Sequence, residues 1–179
     1  LIAAPAGSGK STLVSEWREP AENQSHRFAW LSLDDADNDP TRFFTYFATA
    51  LDDIQPGTGE LTASMFGTSN VGVAPDETLT ALINKIAEID DDFVLGLDDY
   101  HVITNKQIHE MMTTFVEHMP PQMHLLITSR HDPPIPLARL RARGELTEIR
   151  ATDLQFDGDE AATMLAAAEE LELPAAVLA

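Results

Sequence analysis

The sequence predicts an α/β fold, a parallel sheet of about five strands with helices on both faces. The expectation rests on β-like runs that alternate with helix-like segments, on central runs that are almost wholly apolar, and on start signals ahead of the helices. The β-like runs cover residues 1–4, 27–33 (RFAWLSL), 93–97 (FVLGL), 123–128 (MHLLIT) and 146–151 (LTEIRA). The third and fourth are almost wholly apolar, as expected of strands covered on both faces. Asp39 before Pro40 reads as an N-cap with proline at the first helical position, and Phe43, Phe44, Phe47 and Leu51 follow on one face. Asp76 is expected to open a helix bearing Leu79, Leu82, Ile83 and Ile86. Thr104 with Gln107 forms a capping-box pattern ahead of Ile108, Met111, Met112, Phe115 and Met119, and Asp157 with Glu160 forms another. Residues 55–75 read mostly as loop, with room for a short helix over 61–66. Trp30 reads as core.

Composition narrows the function. The chain has 179 residues and a net charge of −19, from 30 acidic and 11 basic side chains. Its length suits one compact domain. So negative a surface repels nucleic-acid phosphates, which disfavours direct DNA binding by this segment. With no cysteine, disulfides and thiolate metal sites are excluded, and a reducing cytoplasm is the expected location. No run is long enough to span a bilayer, so no membrane partner is expected. The opening strand reads as cut short, and the whole as a piece of a larger protein.

Residues 1–12 read LIAAPAGSGKST. The Walker A pattern GxxxxGK[ST] aligns on Ala4, Gly9, Lys10 and Ser11, with Ala4 where the first glycine usually stands. The match lies between an apolar strand and a helix, the context it requires. Gly7 and Gly9 permit angles that turn successive N–H groups inward, so Ala6, Gly7, Ser8, Gly9, Lys10, Ser11 and Thr12 are expected to cradle a polyphosphate. The start of the following helix adds positive potential. Lys10 is expected to bridge the β- and γ-phosphates, and Ser11 to offer its hydroxyl to Mg²⁺. The predicted fold is thereby the three-layer P-loop NTPase fold, with ATP or ADP and Mg²⁺ as cofactors.

The third run ends FVLGLDDYH. An apolar strand closing on two aspartates matches a Walker B strand. Asp98 is expected to hold Mg²⁺ through water and Asp99 to orient or polarise the attacking water. Ligands of open α/β sheets gather at the carboxyl ends of the strands, where both motifs fall. Arg130 follows the fourth run on the same rim; it could reach the γ-phosphate or serve as a surface ion-pair partner. Arg139, Arg141 and Arg143 read as a short basic helix, facing solvent, a neighbouring domain or an acidic face of this one. His101 could sense the nucleotide state, although a structural hydrogen bond is the favoured reading.

Other patterns fail on inspection. Asp35, Asp37 and Asp39 have calcium-loop spacing, but Pro40 replaces the required glycine and Tyr46 the required glutamate. The acids are expected instead to cap the next helix and face solvent. His109-Glu110 begins like a zinc-protease motif, yet Thr113 stands where the second histidine belongs. Ile108 replaces the aspartate of a guanine-reading NKxD. Asp90, Asp91 and Asp92 read as a solvated turn.

Taken together, APAGSGKST, FAWLSLDDADNDPTRFFTYFATAL, VLGLDDYHVI and the stretch from LLITSRHDPPIPLARLRARGEL to ATML closely resemble one family. They are similar to the nucleotide-binding domain of MalT-like LuxR-family transcriptional regulators, within the STAND class of ATPases. The resemblance covers most of the chain, and the LSLDDADNDPTRF and DPPIPLARLRARGEL phrases are its most discriminating parts. It implies an ATP/ADP switch that self-associates in the ATP state of the full-length protein, with slow hydrolysis as reset. It also implies DNA contact only through a C-terminal domain outside this chain. Residues 1–156 are expected to form the ATP-binding domain and 157–179 to begin a following helical lid. A housekeeping P-loop ATPase, serving transport, remodelling or phosphoryl transfer, is the alternative.

Overall fold

The computed structural model describes residues 1–18, 27–58 and 75–155. The expected helices over 61–66 and from Asp157 onward lie outside the described residues. The strands are β1 (Ile2–Ala3), β2 (Arg27–Ser32), β3 (Phe93–Asp98), β4 (Met123–Ser129) and β5 (Ile149–Arg150). They form one sheet in the order β2-β3-β4-β1-β5, parallel at every pairing. This is a P-loop NTPase fold, with an extra strand between the cradle strand and the strand bearing the paired aspartates. β5 is shorter than the expected 146–151 run, because its only partner among the described residues, β1, offers just two residues for pairing.

The helices are α1 (Lys10–Arg18), α2 (Pro40–Ala50), α3 (Pro75–Ala87), α4 (Lys106–Glu117) and α5 (Leu137–Arg143). One face of the sheet presents Ala29, Phe93, Leu95, Leu97, Met123 and Ile127 to the helices α2, α3 and α4. There Phe43, Phe44, Phe47 and Phe115 are fully buried, and Phe47 meets Phe115 edge to face at 5.0 Å. Each such ring contributes about 1.5–3 kcal/mol through burial. The opposite face carries α1, whose Trp17 meets Phe28 of β2 edge to face.

Local signals placed most elements correctly. Asp39 caps α2 through the Arg42 N–H at 2.8 Å, with Pro40 in the first turn. Helix α3 starts at Pro75, one residue before the expected Asp76, since proline suits a first helical position. The cap of α4 is Asn105 rather than Thr104: the Asn105 side chain accepts from the Gln107 N–H at 2.9 Å. Thr104 is engaged elsewhere, giving both its backbone N–H and its hydroxyl to Asn38. Trp30 is half-buried rather than core, lying on the α1 face beside Phe28 with its indole N–H donated to Ser32. Its ring occupies the space over Gly96, where a Cβ would come within 2.2 Å.

Candidate nucleotide site at the carboxyl rim of the sheet

Register brings the two motifs to one rim. Ala3 of β1 pairs with Ser129 of β4, and the Ala4 N–H continues the ladder to the Ser129 carbonyl at 3.2 Å. Leu97 of β3 pairs with Ile127 of the same strand. The chain therefore leaves β1, β3 and β4 on one edge, with the cradle two strands, or about 10 Å, from the paired aspartates.

The cradle has the backbone its glycines foretell. Gly7 and Gly9 sit at φ 77° and 78°, with open space where side chains would stand. The loop side is exposed, whereas Lys10 is buried and folded back across it. Its ammonium donates to the carbonyls of Ala4 at 2.8 Å and Pro5 at 2.9 Å, and the Ser8 hydroxyl also donates to Pro5. Ser11 and Thr12 are exposed in the first turn of α1. A fixed cation, a helix N-terminus and a loop with two left-handed glycines suit a polyphosphate. The residues present fit the nucleotide the sequence implies.

The aspartates are held differently from each other. The Thr128 hydroxyl, fully buried on β4, donates to the Asp98 carboxylate and accepts the Asp99 N–H at 3.0 Å. Asp99 adopts left-handed backbone angles, φ 56° and ψ 37°, alone among the described non-glycine residues. That conformation costs about 1–2 kcal/mol and is a recurrent mark of functional loops. Asp98 and Ser11 are the groups that could hold a divalent cation. Sequence reading passed over Thr128; an alcohol at the end of an apolar strand beside Walker B was its only signal.

His101 follows in the 3₁₀ turn Tyr100–Val102, its Nδ1 lying 3.6 Å from the Asp99 carboxylate. Burial and the positive charge of Arg130 push its pKa below the ordinary histidine value, with smaller effects from His131 and Lys10, while Asp99 opposes them. His131 stands near it too, with ring centroids 6.3 Å apart. Arg130 itself is exposed. The buried Nδ1 of His101 makes no hydrogen bond.

A second network braces this rim. Asn38, between β2 and α2, accepts the N–H groups of Thr104 at 2.6 Å and Asn105 at 3.0 Å, and donates to the Val102 carbonyl at 2.9 Å. The loop after β2 is thus tied to the loop after β3. Contrary to expectation, Asp37 does not face solvent; it is buried, accepting from Arg42 Nε and the Asp34 N–H, both at 2.9 Å. Nothing about DADN in isolation reveals which acid turns inward.

The basic helix turns out to face this chain's own acids. Arg139 pairs with Glu117, Arg141 with Glu148 and Arg143 with Glu145. Asp90, Asp91 and Asp92 are exposed, with Asp91 paired to Arg27 at 3.0 Å. No described helix is long and apolar enough to cross a membrane, and no described cluster of acids and histidines has metal-holding geometry by itself. Two apolar clefts, around Leu1, Met119, His124, Leu125 and Leu146, include none of Lys10, Asp98, Asp99, His101 or Arg130 in their walls.

Known proteins share this chain at moderate identity. It is 39% identical over 90% of its length to the HTH-type transcriptional regulator MalT of Yersinia enterocolitica, and 35% identical over 89% to that of Vibrio parahaemolyticus. It is also 33% identical over 98% of its length to the serine/threonine-protein kinase PknK of Mycobacterium tuberculosis. The chain spans only 17% of each MalT protein and 16% of PknK. No family model matches it.

Proposed function

This chain belongs to the family of MalT-like domains, and from that premise we propose that it is an ATP/ADP-binding switch within a transcriptional regulator. The observation that carries the reading is the shared rim: Lys10, Asp98, Asp99 and Arg130 all leave strands that run in register to one edge. In this reading the amides of Ala6 to Thr12 receive the phosphates, and Lys10 exchanges two neutral carbonyls for charged phosphate oxygens, a stronger class of hydrogen bond. Ser11 and Asp98 would hold Mg²⁺, which would supply neutralisation of phosphate charge. Asp99 polarises the attacking water and Arg130 faces the γ-phosphate. Hydrolysis is slow and resets a switch that self-associates in the ATP state.

Residues 1–156 make up the nucleotide domain in this proposal, and those that follow begin its lid. DNA contact belongs to another part of the protein, in keeping with a charge of −19 on this one. Regulation of transcription is the output suggested by the MalT relatives; the PknK likeness supports the same domain serving a different output.

The test is titration of the intact protein with Mg-ATP and Mg-ADP, for the wild type and Lys10→Ala, with sedimentation in each nucleotide. Saturable binding that Lys10→Ala weakens by on the order of 100-fold, with larger particles in ATP, is expected. Equal binding by both proteins sinks the reading. Rapid turnover with no change in particle size would favour a housekeeping ATPase instead.

A further inference from the structure

We propose that His101 is a positioning residue for Asp99, turning that carboxylate toward the attacking water through its ring Nδ1. The inference rests on the hydrolytic reading above and adds a residue to it.

Two independent features meet here. The first is an unmet donor or acceptor: Nδ1 of His101 is buried without a hydrogen-bond partner, and its side chain is only 11% exposed. Leaving such an atom unpaired costs about 1–3 kcal/mol, a cost that a functional contact would recover. The second is the strained backbone of Asp99. Its N–H is anchored on Thr128 at 3.0 Å and its carbonyl accepts from the Val102 N–H at 3.0 Å. Pinned at both ends of its peptide unit, Asp99 keeps a half-exposed carboxylate, 51% by side-chain surface. That carboxylate lies 3.6 Å from His101 Nδ1, just beyond hydrogen-bond length. Closing the gap to about 3.0 Å makes a charge-assisted bond.

The ring's surroundings favour this role over a charged one. Burial and Arg130 hold the imidazole below its ordinary pKa, which disfavours the charged ring; the role proposed here uses its Nδ1–H tautomer. His131 stands edge-on at 6.3 Å between ring centroids and limits the ring's other side. The neighbouring histidine, His109, is already engaged with the Tyr100 hydroxyl at 3.0 Å. In hydrolysis the water oxygen bonds to the γ-phosphorus and the bond to the β–γ bridging oxygen breaks. ADP leaves with that electron pair, and the water's proton passes to Asp99 and then to the released phosphate. Nothing is oxidised or reduced. His101 forms no bond to the reacting atoms; it fixes the direction from which Asp99 acts.

The experiment compares His101→Ala, His101→Asn and His101→Gln in the intact protein, measuring turnover, nucleotide affinity and melting temperature. His101→Ala is expected to lower kcat about tenfold or more, the worth of one hydrogen bond to a charged group, with affinity within about twofold. Asparagine places an N–H near the Nδ1 position and should recover most of the loss, whereas glutamine should not. Wild-type kcat in His101→Ala overturns the inference alone. So does a parallel fall of affinity and kcat in all three variants, which marks a structural residue. A wild type that binds nucleotide without hydrolysing it also removes the inference while sparing the binding site. A wild type that binds none removes both readings.

Discussion

The two ends of the sheet differ in kind. At the carboxyl end the surface is polar and conformationally costly: two glycines at positive φ, a left-handed Asp99 and an unpartnered His101 nitrogen. At the amino end lies roomy apolar space, including a cleft of about 580 Å³ walled by Leu13, Trp17, Val94, Leu126 and Ile149. Volume and greasiness mark sites for apolar ligands. A polyphosphate is instead recognised by backbone N–H groups and fixed charges, which need little enclosure. In the proposed reading, chemistry follows strain and charge rather than cavity size.

This contrast can be broken or sharpened in several ways, the largest first. Lys10→Ala should weaken nucleotide binding by on the order of 100-fold, the scale of charge-assisted hydrogen bonds, as measured by calorimetric titration. Its melting temperature should move by only a few degrees, about what 1 kcal/mol produces in a domain this size. Gly96→Ala drives a methyl group into the Trp30 ring and should cost about 1–3 kcal/mol in urea unfolding, with nucleotide contacts untouched. Thr128→Val removes the hydroxyl shared by both aspartates. It should cost roughly 1–3 kcal/mol through the stranded Asp99 N–H and slow turnover as well.

Acid titration probes the ion-pair cluster beside β5. Hydrogen bonds from Arg141, then Arg150, hold Glu148 at a pKa of about 2 against an ordinary 4.5. A depressed carboxylate stabilises the fold above its unfolded pKa and loses that contribution as pH falls. The wild type should therefore lose stability between about pH 4.5 and pH 2, and Glu148→Gln should flatten that limb of the melting profile. The smallest effect is expected at the far cleft: His124→Leu should leave nucleotide affinity within about twofold. A large loss there would overturn the assignment of function to the opposite rim.

Much of this was legible beforehand because the signals are short-range. Asp39-Pro40 capped α2 as read, and the phenylalanines behind it are buried as their spacing required. Thr104 misled because its groups could serve two partners. As a local rule it caps α4, but Asn38, distant in sequence, claims it. Asp37 misled likewise, since an acid in a run of acids looks solvated until Arg42 reaches over it.

Alternating patterns, the glycines of the cradle and the acids closing β3 act within a few residues, so the amino-acid order alone determined the fold class and the place where phosphates are expected. Tertiary structure decided which groups meet across long separations. Thr128 reaches Asp98 over 30 positions and Asn38 reaches Asn105 over 67. Such meetings depend on strand register and on how the loops pack over the rim. Burial then sets the electrostatics, and His101 shows it: a histidine in a turn is unremarkable in a string of letters. Enclosed beside Asp99 and Arg130, its ring has a lowered pKa and its Nδ1 makes no hydrogen bond, because removal from water penalises charge and leaves each polar atom dependent on the neighbours the fold supplies.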